Sequence, residues 1–213
     1  MRPGAPFGTM TATGGKPCKG ARLAAAALCG ALAAWQIGAG LWIPAKAWLA
    51  QALIAEAWQE ALDSGRRVPP WPWADTAPVA RLTVPSLGVD QVVLAHATGR
   101  SLAFGPAHLD GSAAPGAPGL SVLSGHRDTS FAFLADLAVG TALRLQRTDG
   151  VWLDFRVAAT RVLDERVDGL PRLVTGRPSL ALVTCYPLDA IVPGGPLRYV
   201  VYAEAMAEGP QPH

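Results

Sequence analysis

Leu180-Ala181-Leu182-Val183-Thr184-Cys185-Tyr186-Pro187 and Pro196-Leu197-Arg198-Tyr199-Val200-Val201-Tyr202, separated by a Pro/Gly-rich turn, decide how this chain folds. Both flanks are short runs of apolar, β-branched and aromatic residues, so each reads as a buried strand. The first strand closes at Cys185 and the second opens at Arg198. Antiparallel pairing through the turn brings those two residues to one rim. A thiol beside a permanent cation has the makings of a nucleophile. Its reactive form is the thiolate, and a free cysteine near pKa 8.5 is only about 3% ionised at pH 7. A guanidinium stays charged throughout and also donates hydrogen bonds to an oxyanion.

The 213 residues leave room for one domain and an extension. Half of them are apolar and 16% are charged, a balance too hydrophobic for a disordered chain. Charge is distributed unevenly. Arg2, Lys16, Lys19 and Arg22 precede the first acidic residue, Glu56, and beyond this head 14 basic residues face 16 acidic ones. The positive charge forms a head rather than a nucleic-acid-binding patch, and no nucleic-acid motif is present.

Leu23 to Ile43 is a 21-residue uncharged run. That length spans a ~30 Å hydrocarbon core as a helix, and the basic leader predicts a cytoplasmic amino terminus with everything after Pro44 outside. A signal peptide cleaved after Ala45-Lys46-Ala47 is the competing reading, but the run exceeds the usual 7 to 15 residues of such a segment. Cys18 lies in the head and Cys29 in the span, so Cys185 has no intrachain partner beyond the membrane. An unpaired thiol in an oxidising compartment is a liability unless buried or used.

From Ala45 to Leu62, Trp48, Leu49, Ala52, Leu53, Trp58 and Leu62 approximate one helical face. Pro69-Pro70-Trp71-Pro72-Trp73 then forms a stiff connector. The expected division is a cytoplasmic head (1–22), an anchor (23–43), an amphipathic helix and connector (44–74), a β-rich domain (75–205) and a tail (206–213). Within the domain, strands are expected over 79–84, 89–94, 120–123, 142–145 and 151–157, with an Asp149-Gly150 hairpin turn and a helical turn in 131–137. About eight short strands with Pro/Gly turns suggest a barrel or a sandwich.

A third chemical element follows the strand at 120–123: Ser124-Gly125-His126-Arg127-Asp128-Thr129. An imidazole takes a thiol proton and later delivers it to a leaving amine. Asp128 is a candidate to orient His126, or else a turn former. His108, in Phe104-Gly105-Pro106-Ala107-His108, is the competing histidine. A zinc site built from His108, His126 and Cys185 lacks the usual ligand spacing, and no metal is expected.

These residues resemble the sortases, membrane-anchored cysteine transpeptidases. Leu182-Val183-Thr184-Cys185 is similar to the family's active-site strand, and Gly125-His126 and Arg198 match its histidine and arginine in order. Four stretches resemble the Gram-negative class, including its marine proteobacterial type: Trp71-Pro72-Trp73-Ala74-Asp75; Ser101 through Pro106; Gly125 through Phe131; and Cys185-Tyr186-Pro187 with Pro193-Gly194-Gly195-Pro196-Leu197-Arg198. Ala107 departs from the pattern, since a glycine is expected before His108. The resemblance implies an all-β, closed eight-stranded barrel with short helices, preceded by a transmembrane helix. It implies Cys185, His126 and Arg198 as the catalytic residues, with Thr184, Asp128 and His108 in supporting positions, and no cofactor. The implied partners are a protein bearing a C-terminal sorting signal and an unknown amine acceptor on the cell envelope. The implied location is the inner membrane, with the catalytic domain in the periplasm.

Three other readings remain. A thiol hydrolase uses the same residues with water as acceptor. The L,D-transpeptidases generally carry Ser-x-Gly-Cys, whereas Val183-Thr184 precede Cys185 here. A non-catalytic envelope module would tolerate loss of Cys185.

Overall fold

The structure, a computed structural model, describes residues 19–169, 176–190 and 194–206. Arg2, Lys16 and Cys18 of the basic head, Pro193 of the turn motif and nearly all of the tail lie outside the described residues. The chain divides into two compact units, Met1–Lys46 and Ala47–His213.

Helix α1 runs from Lys19 to Ser64 with Pro44 inside it. Proline forfeits one helical hydrogen bond, at a cost of about 3 kcal/mol, and the Ala- and Leu-rich turns on both sides favour continuation. In the first unit, Leu28, Leu32, Trp35, Leu41 and Trp42 are all exposed. The helix is long and apolar enough to cross a membrane by length and composition. Lys46 Nζ sits 5.3 Å from the Trp42 ring centroid.

In the second unit, the buried face of α1 consists of Ala50, Ile54, Ala57, Trp58 and Ala61. The expected face is therefore rotated: Trp48 is 74% exposed and Leu49 52%. Alanines at 50, 57 and 61 bring the helix close to what it packs on, and bulky Trp48 and Leu49 turn away. Ile54 joins Leu94 and Ala107 in a small cluster that Trp71 and Phe104 cover, their rings meeting edge-on at 5.1 Å.

Eight strands follow: β1 (Pro78–Val84), β2 (Val89–Leu94), β3 (Ala107–His108), β4 (Gly119–Ser124), β5 (Ala142–Arg147), β6 (Trp152–Asp164), β7 (Pro178–Cys185) and β8 (Leu197–Ala205). A short helix α2 (Gly99–Leu102) lies between β2 and β3, and 3-10 turns cover Pro85–Leu87 and Ala132–Asp136. The strands close into a barrel in the order β1-β2-β3-β4-β7-β8-β6-β5. Between β1 and β2 the chain turns through Pro85–Leu87, with Gly88 at φ 64°. The Asp149-Gly150 hairpin forms too, Gly150 taking φ 83° and Asp149 Oδ1 accepting from the Val151 N–H.

Alternation along each strand separates two faces. Leu82, Leu123, Leu143, Leu145, Phe155, Leu180, Leu182 and Val201 fill the barrel interior with Phe131 and Leu134. On the outside, Val122, Ala181, Val200 and Tyr202 form a second cluster with Leu120, Leu163 and Val183 against it. Burial pushes the Tyr202 phenol above its ordinary pKa, with a nearby Arg161 acting weakly the other way.

Candidate active site

Three strands deliver the candidate residues to one rim. β7 and β8 pair antiparallel with Cys185 opposite Arg198. β4 and β7 pair parallel, and their register ends at Ser124 opposite Val183. The Gly125 N–H still donates to the Val183 carbonyl, and His126 follows at once, so the chain leaves β4 beside the end of β7. Cys185 and Arg198 are cross-strand neighbours, and His126 leaves the adjoining strand at the same end of the barrel. Cys185 and Arg198 also share a face: Val183 on β7 and Val200 on β8 belong to the outer cluster, and stepping by two along those strands reaches Cys185 and Arg198.

The inward-facing neighbours fix this rim. Thr184 is 2% exposed, and its Oγ1–H donates to the Gly125 carbonyl at 2.7 Å, while the Gly125 N–H donates to the Val183 carbonyl at 3.1 Å. A Cβ on Gly125 would lie 2.7 Å from the Phe131 ring, so only glycine fits. Phe131 returns a backbone N–H to the His126 carbonyl at 2.8 Å, closing the turn. Thr184→Val is expected to lower stability by about 1–2 kcal/mol, because the methyl leaves a buried carbonyl without its donor. Denaturant unfolding of the full chain in detergent measures this; an unchanged midpoint would mean the bond contributes nothing.

Arg127, next to His126, reaches across 60 residues. Its Nη1 donates to the Pro187 carbonyl at 3.0 Å and its Nη2 to the Ala190 carbonyl at 2.5 Å. The segment after the histidine is thereby tied to the segment after the cysteine. Tyr186 stacks on Tyr199 with centroids 6.4 Å apart, and this places an aromatic pair beside the thiol.

Arg198 is held from several sides. Its Nη1 donates to the Gly195 and Leu197 carbonyls at 2.8 and 2.9 Å, and Glu165 Oε2 lies 2.7 Å from Nη2. The two Nη1 hydrogens are thus committed, leaving the Nε–H and the Nη2 edge for a further acceptor. Glu165 is itself fixed by its backbone N–H, which donates to the Pro196 carbonyl at 2.9 Å. Neighbouring Arg166 hydrogen-bonds Asp164 and holds its carboxyl at about 2, so this turn keeps its ion pair at neutral pH.

Beside Arg198 the outer face opens into a groove of about 210 Å³. Val122, Val183, Leu163 and Leu109 give it an apolar floor, and Ser124, Glu165 and Arg198 give it a polar rim. The groove borders Arg198, while Cys185 and His126 lie outside its lining.

Of the supporting candidates, Thr184 braces this rim, whereas Asp128 and His108 make no contact with Cys185 or Arg198 among the described residues. Asp128 is exposed in the turn after His126, and neither its carboxylate nor the His126 ring has a hydrogen bond among the described residues. His108 pairs with Leu123 on β3, one strand away. Its Nε2 lies 2.9 Å from both the Ala113 carbonyl and Ser112 Oγ, so this nitrogen carries the hydrogen and serves the 112–113 turn. Sequence reasoning assigned no role to Arg127 or Glu165. Their contacts depend on loop paths that neither periodicity nor turn chemistry discloses.

A family model described as the sortase domain matches residues 82–206. Sortase D of Bacillus subtilis (strain 168) is 30% identical over 123 residues, covering 58% of this chain and 61% of that protein. The match thus spans about three fifths of the curated relative's length. Among solved structures, sortase C-1 of Actinomyces oris is 26% identical, with a TM-score of 0.53 over 72% of this chain and 98% of that one. Sortase A of Corynebacterium diphtheriae shares the fold at 23% identity, with a TM-score of 0.54 over 66% of each chain.

Proposed function

This chain belongs to the sortase family, and from that premise we propose that it is a membrane-anchored cysteine transpeptidase acting on a protein with a C-terminal sorting signal. The observation that carries the reading is the cross-strand pairing of Cys185 with Arg198, with His126 following the end of the adjoining strand β4 and an apolar groove beside Arg198.

The steps follow from these groups. Cys185 Sγ, as thiolate, attacks the carbonyl carbon of the scissile peptide bond. The oxyanion accepts from the free hydrogens of Arg198. As the tetrahedral intermediate collapses, the C–N bond breaks and the His126 imidazolium gives its proton to the departing amine, leaving a thioester. An incoming amine passes a proton to the neutral imidazole as it attacks that thioester. The new amide forms and the thiolate leaves. Water in place of the amine gives hydrolysis.

The finer parts of the proposal rest on sequence. α1 anchors the enzyme in the inner membrane through residues 23–43, with the head 1–22 cytoplasmic and the barrel, 75–205, in the periplasm. The motifs around Trp71, Phe104, His126 and Pro187 favour the Gram-negative class. Anchoring raises the effective concentration of a substrate waiting at the same membrane.

Incubating the full chain in detergent with peptides of the Leu-Pro-x-Thr type and a simple amine tests the reading by chromatography and mass spectrometry. The expected product joins the amino-terminal half of the peptide to the amine. A carboxylic acid product alone would make the chain a hydrolase, and intact peptide throughout would favour a non-catalytic module. Arg198→Ala is expected to lower kcat/KM about 100- to 1000-fold, with Arg198→Lys recovering only part of it, because an ammonium lacks the fork geometry. Full recovery by lysine would reduce the residue's part to charge alone.

A further inference from the structure

Strand β6 ends in a turn built around one carboxylate. The Asp164 side chain accepts from the Arg166 backbone N–H at 3.0 Å and from the Arg166 guanidinium at 2.6 and 3.0 Å. The Asp164 carbonyl accepts from the Val167 and Asp168 N–H groups at 3.0 and 2.7 Å, and Asp168 Oδ2 accepts in return from the Asp164 N–H at 2.9 Å. Side-chain bonds of this kind to nearby backbone fix a turn, so the chain is held on both sides of Glu165. Arg166, the nearest cation in sequence, is committed to Asp164 and does not compete for Glu165.

Register decides where Glu165 reaches. Leu163 pairs with Arg198 and Asp164 with Leu197, and one step further the Glu165 N–H donates to the Pro196 carbonyl at 2.9 Å. β8 lies between β6 and β7, so Arg198 has Leu163 on one side and Cys185 on the other. Glu165 comes to Arg198 from the side of β6, away from the strand that carries the thiol, and its Oε2 stands 2.7 Å from Nη2. The guanidinium is a rigid plane whose N–H groups point in fixed directions. Its Nη1 is held by the Gly195 and Leu197 carbonyls at 2.8 and 2.9 Å, and Glu165 adds an anchor at the second nitrogen. With both nitrogens held, the plane cannot swing about one of them. The Nε–H and the remaining Nη2 hydrogen are then set in advance, and donors to an oxyanion contribute most when nothing must reorganise as the charge develops. The side chains are 26% and 51% exposed, so the ion pair adds little to stability and its consequence is orientation.

We infer that Glu165 is a positioning residue for acyl transfer: it holds the Arg198 guanidinium so that the uncommitted N–H groups meet the reacting carbonyl. The inference rests on the transpeptidase reading. A carboxylate this close also opposes a developing oxyanion by its charge. The two effects have opposite signs on kcat, and the approach from the β6 side, away from Cys185, favours the first.

The test is a double-mutant cycle on the full chain in detergent, with a Leu-Pro-x-Thr-type peptide and a simple amine, reading kcat and KM separately. Glu165→Ala is expected to lower kcat about five- to twentyfold while KM changes less than about twofold, the signature of a misaligned donor. Glu165→Gln, which keeps an acceptor of the same reach, should recover most of that loss. In the Arg198→Ala background, Glu165→Ala should change kcat less than about twofold, because the group it orients is gone. A merely structural role would lower kcat in both backgrounds. The Arg198 Nε–H resonance of the resting protein supplies a readout that needs no turnover: it should move or broaden in Glu165→Ala and keep its place in Glu165→Gln. Unchanged or raised kcat in Glu165→Ala, an equal loss in both backgrounds, or an unmoved resonance would overturn the inference. Hydroxylamine release of the acyl group from the wild type reports the transpeptidase reading separately. If nothing is released, that reading fails, and the resonance still decides whether Glu165 holds Arg198.

Discussion

Cys185→Ala is expected to abolish turnover, lowering kcat by at least about 10⁴-fold, because no other residue at the rim can form the thioester. His126 and Arg198 remain in the variant, and by themselves they offer a proton and an oxyanion donor but nothing to split the reaction into two easier steps. Removing a nucleophile typically costs as much as removing its whole catalytic group. The alanine variant should still bind peptide, because the groove of Val122, Val183 and Leu163 is untouched. Peptide cleavage followed by chromatography measures the effect. Residual turnover within tenfold of wild type would move the chemistry elsewhere.

The second large effect is on stability. Phe131 is fully buried, packs edge-on against Phe133 at 5.7 Å, and presents its ring to Gly125. Phe131→Ala removes that ring from the barrel interior and should cost about 3–5 kcal/mol, through lost burial and the cavity left behind. Because the Phe131 N–H also closes the turn on the His126 carbonyl, the loosened turn is expected to lower kcat even below the melting transition. Thermal unfolding and the rate at a fixed low temperature measure the two parts. A melting temperature within 2 °C of wild type would show that the interior collapses onto the gap instead of keeping a cavity.

Much of this site is legible in the sequence because it is built on strand ends. The run from Leu180 to Cys185 has the composition of a buried strand, Leu197 to Tyr202 has the same, and an antiparallel pair joined by a turn leaves little freedom in register. The pairing of Cys185 with Arg198 follows from that alone. His126 is harder. β4 and β7 are parallel neighbours separated by the whole of β5 and β6, and local pattern carries no record of such a crossover. The histidine's place came from chemistry and resemblance rather than from periodicity.

Other features were out of reach for stated physical reasons. β3 has only two residues, Ala107 and His108, too few for any alternation. The second half of β6 was missed because 158–164 mixes exposed polar and apolar residues without a clear period. The buried face of α1 was misread because three of its five members are alanines, whose small size is what lets the helix approach. Bulk alone pointed to Trp48 and Leu49. Arg127 and Glu165 act through loop carbonyls and an ion pair across the rim, and they look in sequence like any surface charge.

The central claim is that Cys185 is a nucleophile that carries the acyl group between two amines. Intact mass spectrometry of the full chain, quenched seconds after mixing with a sorting-type peptide, tests it most directly. The account requires a mass increase equal to the amino-terminal peptide fragment, located on Cys185, released by hydroxylamine and absent from Cys185→Ala. Peptide consumption without any such adduct, or an adduct that persists in the alanine variant, would contradict it.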